Sequence, residues 1–268
     1  MTGLRRDVVA VFDGDGSGNG LPALDPADFS RFKHGAADAT WRLGRHLAGH
    51  LPEATKSAEH LVVTASCYKF VPLASVSLAR VVAHRLNRWR AEKRLPPVTR
   101  TQFYREQLIE GDYSTMTLAE REAFIATDVI RVDPEPLRDA AVLVVDDLRV
   151  TGFHEGRLAG VLEKANVPAA TFAYLAVIDG TGDPTVERRM NTAAIGSLDA
   201  LAELARGTGF VLNSRVCKLI LGAPEKDFAR FVATLPAGLR QELVTAWECN
   251  GYAVMSRYRA RYEALVAS

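Results

Sequence analysis

The run AVLVV, Ala141 to Val145, is apolar without interruption and stops on two adjacent carboxylates, Asp146 and Asp147. A strand with one wet face alternates apolar and polar residues, so an unbroken run belongs to a sheet covered on both faces. HLVVTAS (60–66) and ATFAYLAVI (170–178) repeat the pattern, and DVVAVF (7–12) is a shorter version near the front. Between them the period changes. Leu73, Val76, Leu78, Ala79, Val82 and Leu86 recur at helical spacing, and a second helix is expected from Glu155 to Lys164. Strand, helix and strand in alternation predict an α/β protein built on a parallel sheet. A Gly/Pro/Asp loop runs through Pro26, followed by a helix at about Ala36 to Leu51. After Pro184 the chain reads as short helical segments separated by Gly and Pro, with a brief strand at VCKLIL (216–221). The expected organisation is a front strand and Gly-rich loop over 1–30, a core over 31–185 and a helical cap over 186–268.

The chain has 268 residues, 48% of them hydrophobic, enough for a full core. A formal net charge of +1 supplies no overall field for nucleic acid or an anionic membrane, so any affinity for phosphate must come from local placement. Cys67, Cys217 and Cys249 are far apart and lack zinc-type spacing, which fits a reducing cytoplasm. The start carries only a short apolar run before Asp13, and no apolar stretch is long enough to span a membrane. A cytoplasmic protein with a small-molecule partner is the expectation.

In open α/β sheets ligands collect beyond the carboxyl ends of the strands, at a switch in strand order. Asp146 and Asp147 end such a strand. Thr151 and Gly152 then begin the turn into a helix, where free amides and the helix dipole favour an anion. Carboxylates accept bonds from vicinal hydroxyls while amides hold phosphate, so the combination suits a sugar phosphate. The bland alternative is a surface turn in which Asp147 or Thr151 caps a helix.

VLVVDDLRVTG resembles the ribose-phosphate signature of type I phosphoribosyltransferases. The resemblance implies a Rossmann-like parallel sheet, here with a helical C-terminal extension, and transfer of a 5-phosphoribosyl group from phosphoribosyl pyrophosphate to an acceptor that the sequence leaves unnamed. Asp146 and Asp147 would then hold the ribose hydroxyls and contact Mg2+ weakly or indirectly. Val150, Thr151, Gly152, Phe153 and His154 would cradle the 5′-phosphate, although Phe153 and His154 stand where the family usually has small or hydroxylated residues. VVTASCYKFVPLAS is similar to the family's pyrophosphate loop, which implies that role for Ser66, Cys67, Tyr68 and Lys69. RTQFYRE and LAEREAF resemble ComF-like phosphoribosyltransferases, and SRFKHG, DYSTMTLAER and VTGFHE resemble the ComF-like branch that accompanies bacterial tellurium-resistance genes. The polar stretch from Val98 to about Ala126, with Arg100, Arg105, Tyr113 and Arg121, is the candidate lid. A homodimer is the assembly the resemblance implies, and no nucleic-acid or membrane partner is expected.

Other readings compete for some residues. Lys69 and Arg149 could be solvated, His154 could simply occupy a first helical turn, and His46 with His50 could be a solvated helix face. VVAVFDGDGSGNG resembles the opening of haloacid-dehalogenase-type phosphatases, with Asp13 as nucleophile, and echoes a calcium loop whose twelfth position is Leu24 where a Glu is needed. A binding module that kept the ribose-phosphate pocket without turnover is the other rival. The phosphatase reading is separable: it requires phosphate release that Asp13→Asn abolishes and Asp146→Asn spares, and we expect an inorganic-phosphate assay to find no such pair of effects.

Overall fold

The computed structural model describes residues 4–12, 24–106, 129–178 and 184–268. Strands β1 (Arg5–Ala10), β2 (Leu61–Ala65), β3 (Thr99–Arg100), β6 (Ala141–Val145) and β8 (Ala169–Tyr174) form one parallel sheet in the order β1-β8-β6-β2-β3. Alternate residues of the unbroken apolar runs serve opposite faces. Leu143 and Val145 pack with Leu61, Val63 and the helices α2 (Ala37–His50) and α4 (Ala74–Glu92). Val142 and Val144 pack with Phe172 and with Leu158 and Leu162 of α5 (Phe153–Lys164). Burial on both faces explains why these strands tolerate no alternation.

The strand order places the site. From β2 the chain moves outward to β3, and from β6 it moves the opposite way to β8. The carboxyl ends of β2 and β6 therefore flank the switch point where crevices open in such sheets. Val145 is level with Ala65, so Ser66 and Asp146 leave adjacent strands side by side.

Three expectations are corrected. The segment before Ala36 contains α1 (Pro26–Lys33), whose start is fixed by the Asp25 side chain accepting the Ala27 N–H and by Pro26 at the first turn. VCKLIL is helical, within α8 (Ser214–Gly222), because the Asn213 side chain accepts the Val216 N–H and Val216, Cys217, Ile220 and Leu221 bury one helix face. The front of the polar stretch expected as a lid is built into strands. Thr99–Arg100 is the sheet's edge strand, Phe103 is fully buried, and Tyr104–Arg105 (β4) pairs antiparallel with Ile130–Arg131 (β5). Tyr113 and Arg121 lie outside the described residues, as do Asp13 and Asp15.

Residues beyond Pro184 build their own apolar cluster around Trp247, Leu243, Phe231 and Leu201. That cluster reaches the sheet's helices at Gly35, which turns the chain from α1 into α2 at φ +90. A Cβ there would lie 2.1 Å from the Val211 carbonyl oxygen, and the Gly35 carbonyl accepts the Val211 N–H at 2.9 Å, so glycine is required. No helix among the described residues is long and apolar enough to cross a membrane.

Arg90 holds the α2–α4 layer to the preceding loop. It is fully buried and donates to the carbonyls of Lys56, Ala58, Glu59 and Pro96 at 2.6–3.0 Å. Replacing it by Met leaves four acceptors without their donor, so Arg90→Met should lose about 3 kcal/mol of stability in urea unfolding, whereas an unchanged midpoint would contradict this role.

Candidate functional site

A cleft of about 190 Å³ opens at the β2/β6 switch point, well above the roughly 10–15 Å³ that one water requires. Ser66 and Cys67 form its β2 side, and Asp146, Asp147, Val150, Thr151, Gly152 and His154 its β6 side. The structure therefore brings the acidic pair and the Thr-Gly turn to one cavity. Phe153 is not among the lining residues and is 37% exposed.

Asp147 is not open to bulk water. Its Oδ2 accepts an ion-paired hydrogen bond from Lys33 Nζ, and its Oδ1 accepts the Leu148 N–H at 2.8 Å. The Lys33 and Asp147 side chains are only 11% and 13% exposed. Asp146 Oδ1 accepts the Asp147 N–H at 3.0 Å. Burial first, and the charge of Asp147 second, push the Asp146 carboxyl up to about 7, with Ser66 and Lys33 offsetting only part of the rise.

The Thr-Gly turn is held by a second buried carboxylate. Glu155, in the first turn of α5, is 2% exposed. Its Oε2 accepts from Arg149 Nε at 2.8 Å and from the Tyr174 hydroxyl at 3.0 Å, and its Oε1 pairs with Arg6 of β1. Gly152 sits at φ +71 at the helix N-terminus, and a Cβ there would come 3.0 Å from the Arg149 guanidinium. The left-handed turn thus lets Arg149 lie against the backbone that precedes the helix. His154 is pushed down to about 3, mainly by burial and next by Arg105, so its imidazole is neutral at physiological pH and offers an N–H, not a charge.

Other expected residues fall elsewhere. Arg105 reaches the cleft, whereas Arg100 lines a separate hollow beside the sheet edge. Tyr68 lines that same hollow; its hydroxyl donates to Gln102 at 2.8 Å and its N–H donates to the Phe103 carbonyl. Lys69 is exposed, does not line the cleft and lies near Gly251. The amides of Phe70 and Val71 both donate to Asn250 Oδ1 at 3.0 Å, so this end of the loop is tied to the C-terminal helices. Cleft residues that the sequence reading passed over are Lys33, Glu155, Tyr174, Glu187, Arg215 and Lys218. Lys218 lies in VCKLIL, which reads as a strand in the sequence, so nothing there placed it with Arg215 on one helix beside the cleft.

The acidic pair does not fit a resident magnesium ion. Mg2+ asks for near-octahedral oxygen donors, whereas one carboxylate here is paired with an ammonium and the other takes up a proton near neutrality. Among the described residues no group of three or more His, Cys, Asp or Glu could hold a metal ion.

The raised Asp146 pKa has a definite sign for stability. Unfolded, the group releases its proton near 4; folded, it does so near 7, so within that window the native state holds a proton that the unfolded state lacks. Stability from this source is present at low pH and is lost as pH rises through about 7. In thermal scans of the unliganded protein, wild type should lose Tm relative to Asp146→Asn between about pH 5 and pH 8, and parallel curves would contradict the assignment.

A model of the family described as PRTase ComF-like matches residues 9–264. No curated protein matches the chain. A match that spans the sheet, the acidic pair, the Thr-Gly turn and nearly all of the C-terminal helices shows that the chain belongs to the ComF-like phosphoribosyltransferase family.

Proposed function

We propose that the protein transfers the 5-phosphoribosyl group of phosphoribosyl pyrophosphate to a small acceptor. The observation that carries this reading is that the acidic pair and the Thr-Gly turn open on one cleft, at a spacing set by a single loop between β6 and α5. Asp146 and Asp147 would accept from the ribose hydroxyls, and the Thr151–His154 segment would face the 5′-phosphate. Ser66, Cys67 and Arg105 line the cleft where the pyrophosphate would lie. The acceptor's lone pair bonds to C1 of the ribose as the C1–O bond to pyrophosphate breaks, and the leaving oxygen keeps the electron pair. Charge placement and water exclusion do most of the work in such a step. Mg2+, typical of phosphoribosyltransferases, would arrive on the pyrophosphate.

A second cavity of about 550 Å³ shares Arg215 and Lys218 with the cleft and adds His34, Arg188, Arg257 and an Arg230 paired with Asp199 and Asp227, so its lining stays basic on balance. We place the acceptor there; a wall this basic suits an anionic one. The VTGFHE form of the turn supports placing the chain in the branch that accompanies tellurium-resistance genes.

One observation favours the rival binding module: Tyr68, Phe70 and Val71 spend their amides on Phe103 and Asn250, leaving few for a pyrophosphate. Pyrophosphate release separates the two. With phosphoribosyl pyrophosphate, Mg2+ and a panel of nucleobases and small anionic acceptors, we expect release that falls at least about a hundredfold in Asp146→Asn/Asp147→Asn. Tight binding of phosphoribosyl pyrophosphate with no release would make the protein a sensor of that metabolite.

A further inference from the structure

We propose that Lys33 is the built-in cation of the acidic pair, a positioning residue that lets Asp146 and Asp147 hold the sugar diol with no metal ion on either carboxylate. The inference rests on the sugar-phosphate reading of the cleft and deepens it by assigning the counter-charge to the protein.

Lys33 is the last residue of α1 and is 9% exposed. Lysine is rarely buried without a partner, because its ammonium loses hydration there. Its partner is Asp147 Oδ2, and the Phe29 ring lies 5.6 Å from Nζ. The backbone is pinned as well. The Lys33 carbonyl accepts from Asn213 Nδ2 at 3.2 Å, and two residues later Gly35 is locked against Val211. The ammonium is thus delivered to the acidic pair by a helix fixed at its end, not by a freely moving surface side chain.

A metal ion on Asp147 would have to displace this ammonium or share the carboxylate with it. The first would leave a buried lysine unpaired, and the second would bring another positive charge beside it. Mg2+ also parts with its water reluctantly and asks for several oxygen ligands, and among the described residues no group of three or more His, Cys, Asp or Glu could hold it. A vicinal diol makes no such demand. It brings two O–H donors, and the carboxylate oxygens retain lone pairs after accepting from Lys33, Asp147 N–H and Leu148 N–H. Lys33 therefore selects a neutral, hydroxyl-bearing ligand over a metal at this end of the cleft, and confines Mg2+ to the ligand's own phosphates.

Two measurements on the intact protein test this. In calorimetry with ribose 5-phosphate, which carries no pyrophosphate, wild type should bind with the same affinity in EDTA and in excess Mg2+. Lys33→Met should bind about tenfold more weakly in EDTA and recover part of the loss when Mg2+ is added. In an EPR titration with Mn2+ alone, wild type should leave the ion free, Lys33→Met should acquire a site, and Lys33→Met/Asp147→Asn should lose it again. Thermal unfolding of Lys33→Met checks its fold, and the wild-type measurements stand without that variant. The inference is overturned if wild type loses about tenfold affinity in EDTA, if it binds Mn2+ at a site that Asp147→Asn removes, or if a folded Lys33→Met matches wild type in EDTA. Failure of wild type to bind ribose 5-phosphate under any condition would instead bring down the sugar-phosphate reading, and this inference with it.

Discussion

Two adjacent carboxylates at the end of a buried strand repel each other in surroundings that screen poorly, and something must neutralise them. The protein divides the task. Asp147 is matched by Lys33, and Asp146 keeps a proton to near neutrality because of its burial and the charge of Asp147 beside it. This arrangement dictates where other parts of the chain must go. α1 has to end at the rim of β6, Gly35 has to turn the chain immediately afterwards, and Asn213, 180 residues away from Lys33 in sequence, has to cap α8 while holding the Lys33 carbonyl. Front, centre and tail of the chain meet at one ion pair.

Glu155 organises the other wall in the same way. A carboxylate buried in the first turn of α5 lies at the positive end of the helix dipole and draws in Arg6 from β1, Arg149 from the loop and the hydroxyl of Tyr174 from β8. The turn at Thr151–Gly152 is therefore fixed by partners on the sheet and not by local preference alone. The Asn250 side chain does a comparable service for the loop after β2, closing the amides of Phe70 and Val71. Sheet and C-terminal helices together shape the cleft, so a change far along the chain, at Asn250 or Asn213, reaches a loop or an ion pair beside the acidic pair.

Much of this was legible in the residues, and the rest was hidden for physical reasons. Unbroken apolar runs announce strands covered on both faces, and β2, β6 and β8 lie where AVLVV and its counterparts stand. The chemistry of Asp-Asp followed by Thr-Gly is local, so its gathering around one cleft was open to inference. α1 was passed over because Gly, Pro and Asp dominate the region before it, although Asp25-Pro26 is a helix-start signal. VCKLIL looked like a strand since β-branched and long apolar residues suit both states, and the cap at Asn213 decided the matter. Lys33 could not be found from spacing, because its partner is 114 residues away. Lys69 had the right residue type in the right loop and still points away, since the loop's direction is set by Asn250.

In the function we propose, the acidic pair and the Thr-Gly turn grip two ends of one phosphorylated pentose. The most direct measurement is a calorimetric titration of phosphoribosyl pyrophosphate with Mg2+ into wild type and into Asp146→Asn/Asp147→Asn. Wild type should bind and the variant should lose at least about tenfold in affinity; equal affinity in the two proteins would contradict the proposed grip on the sugar.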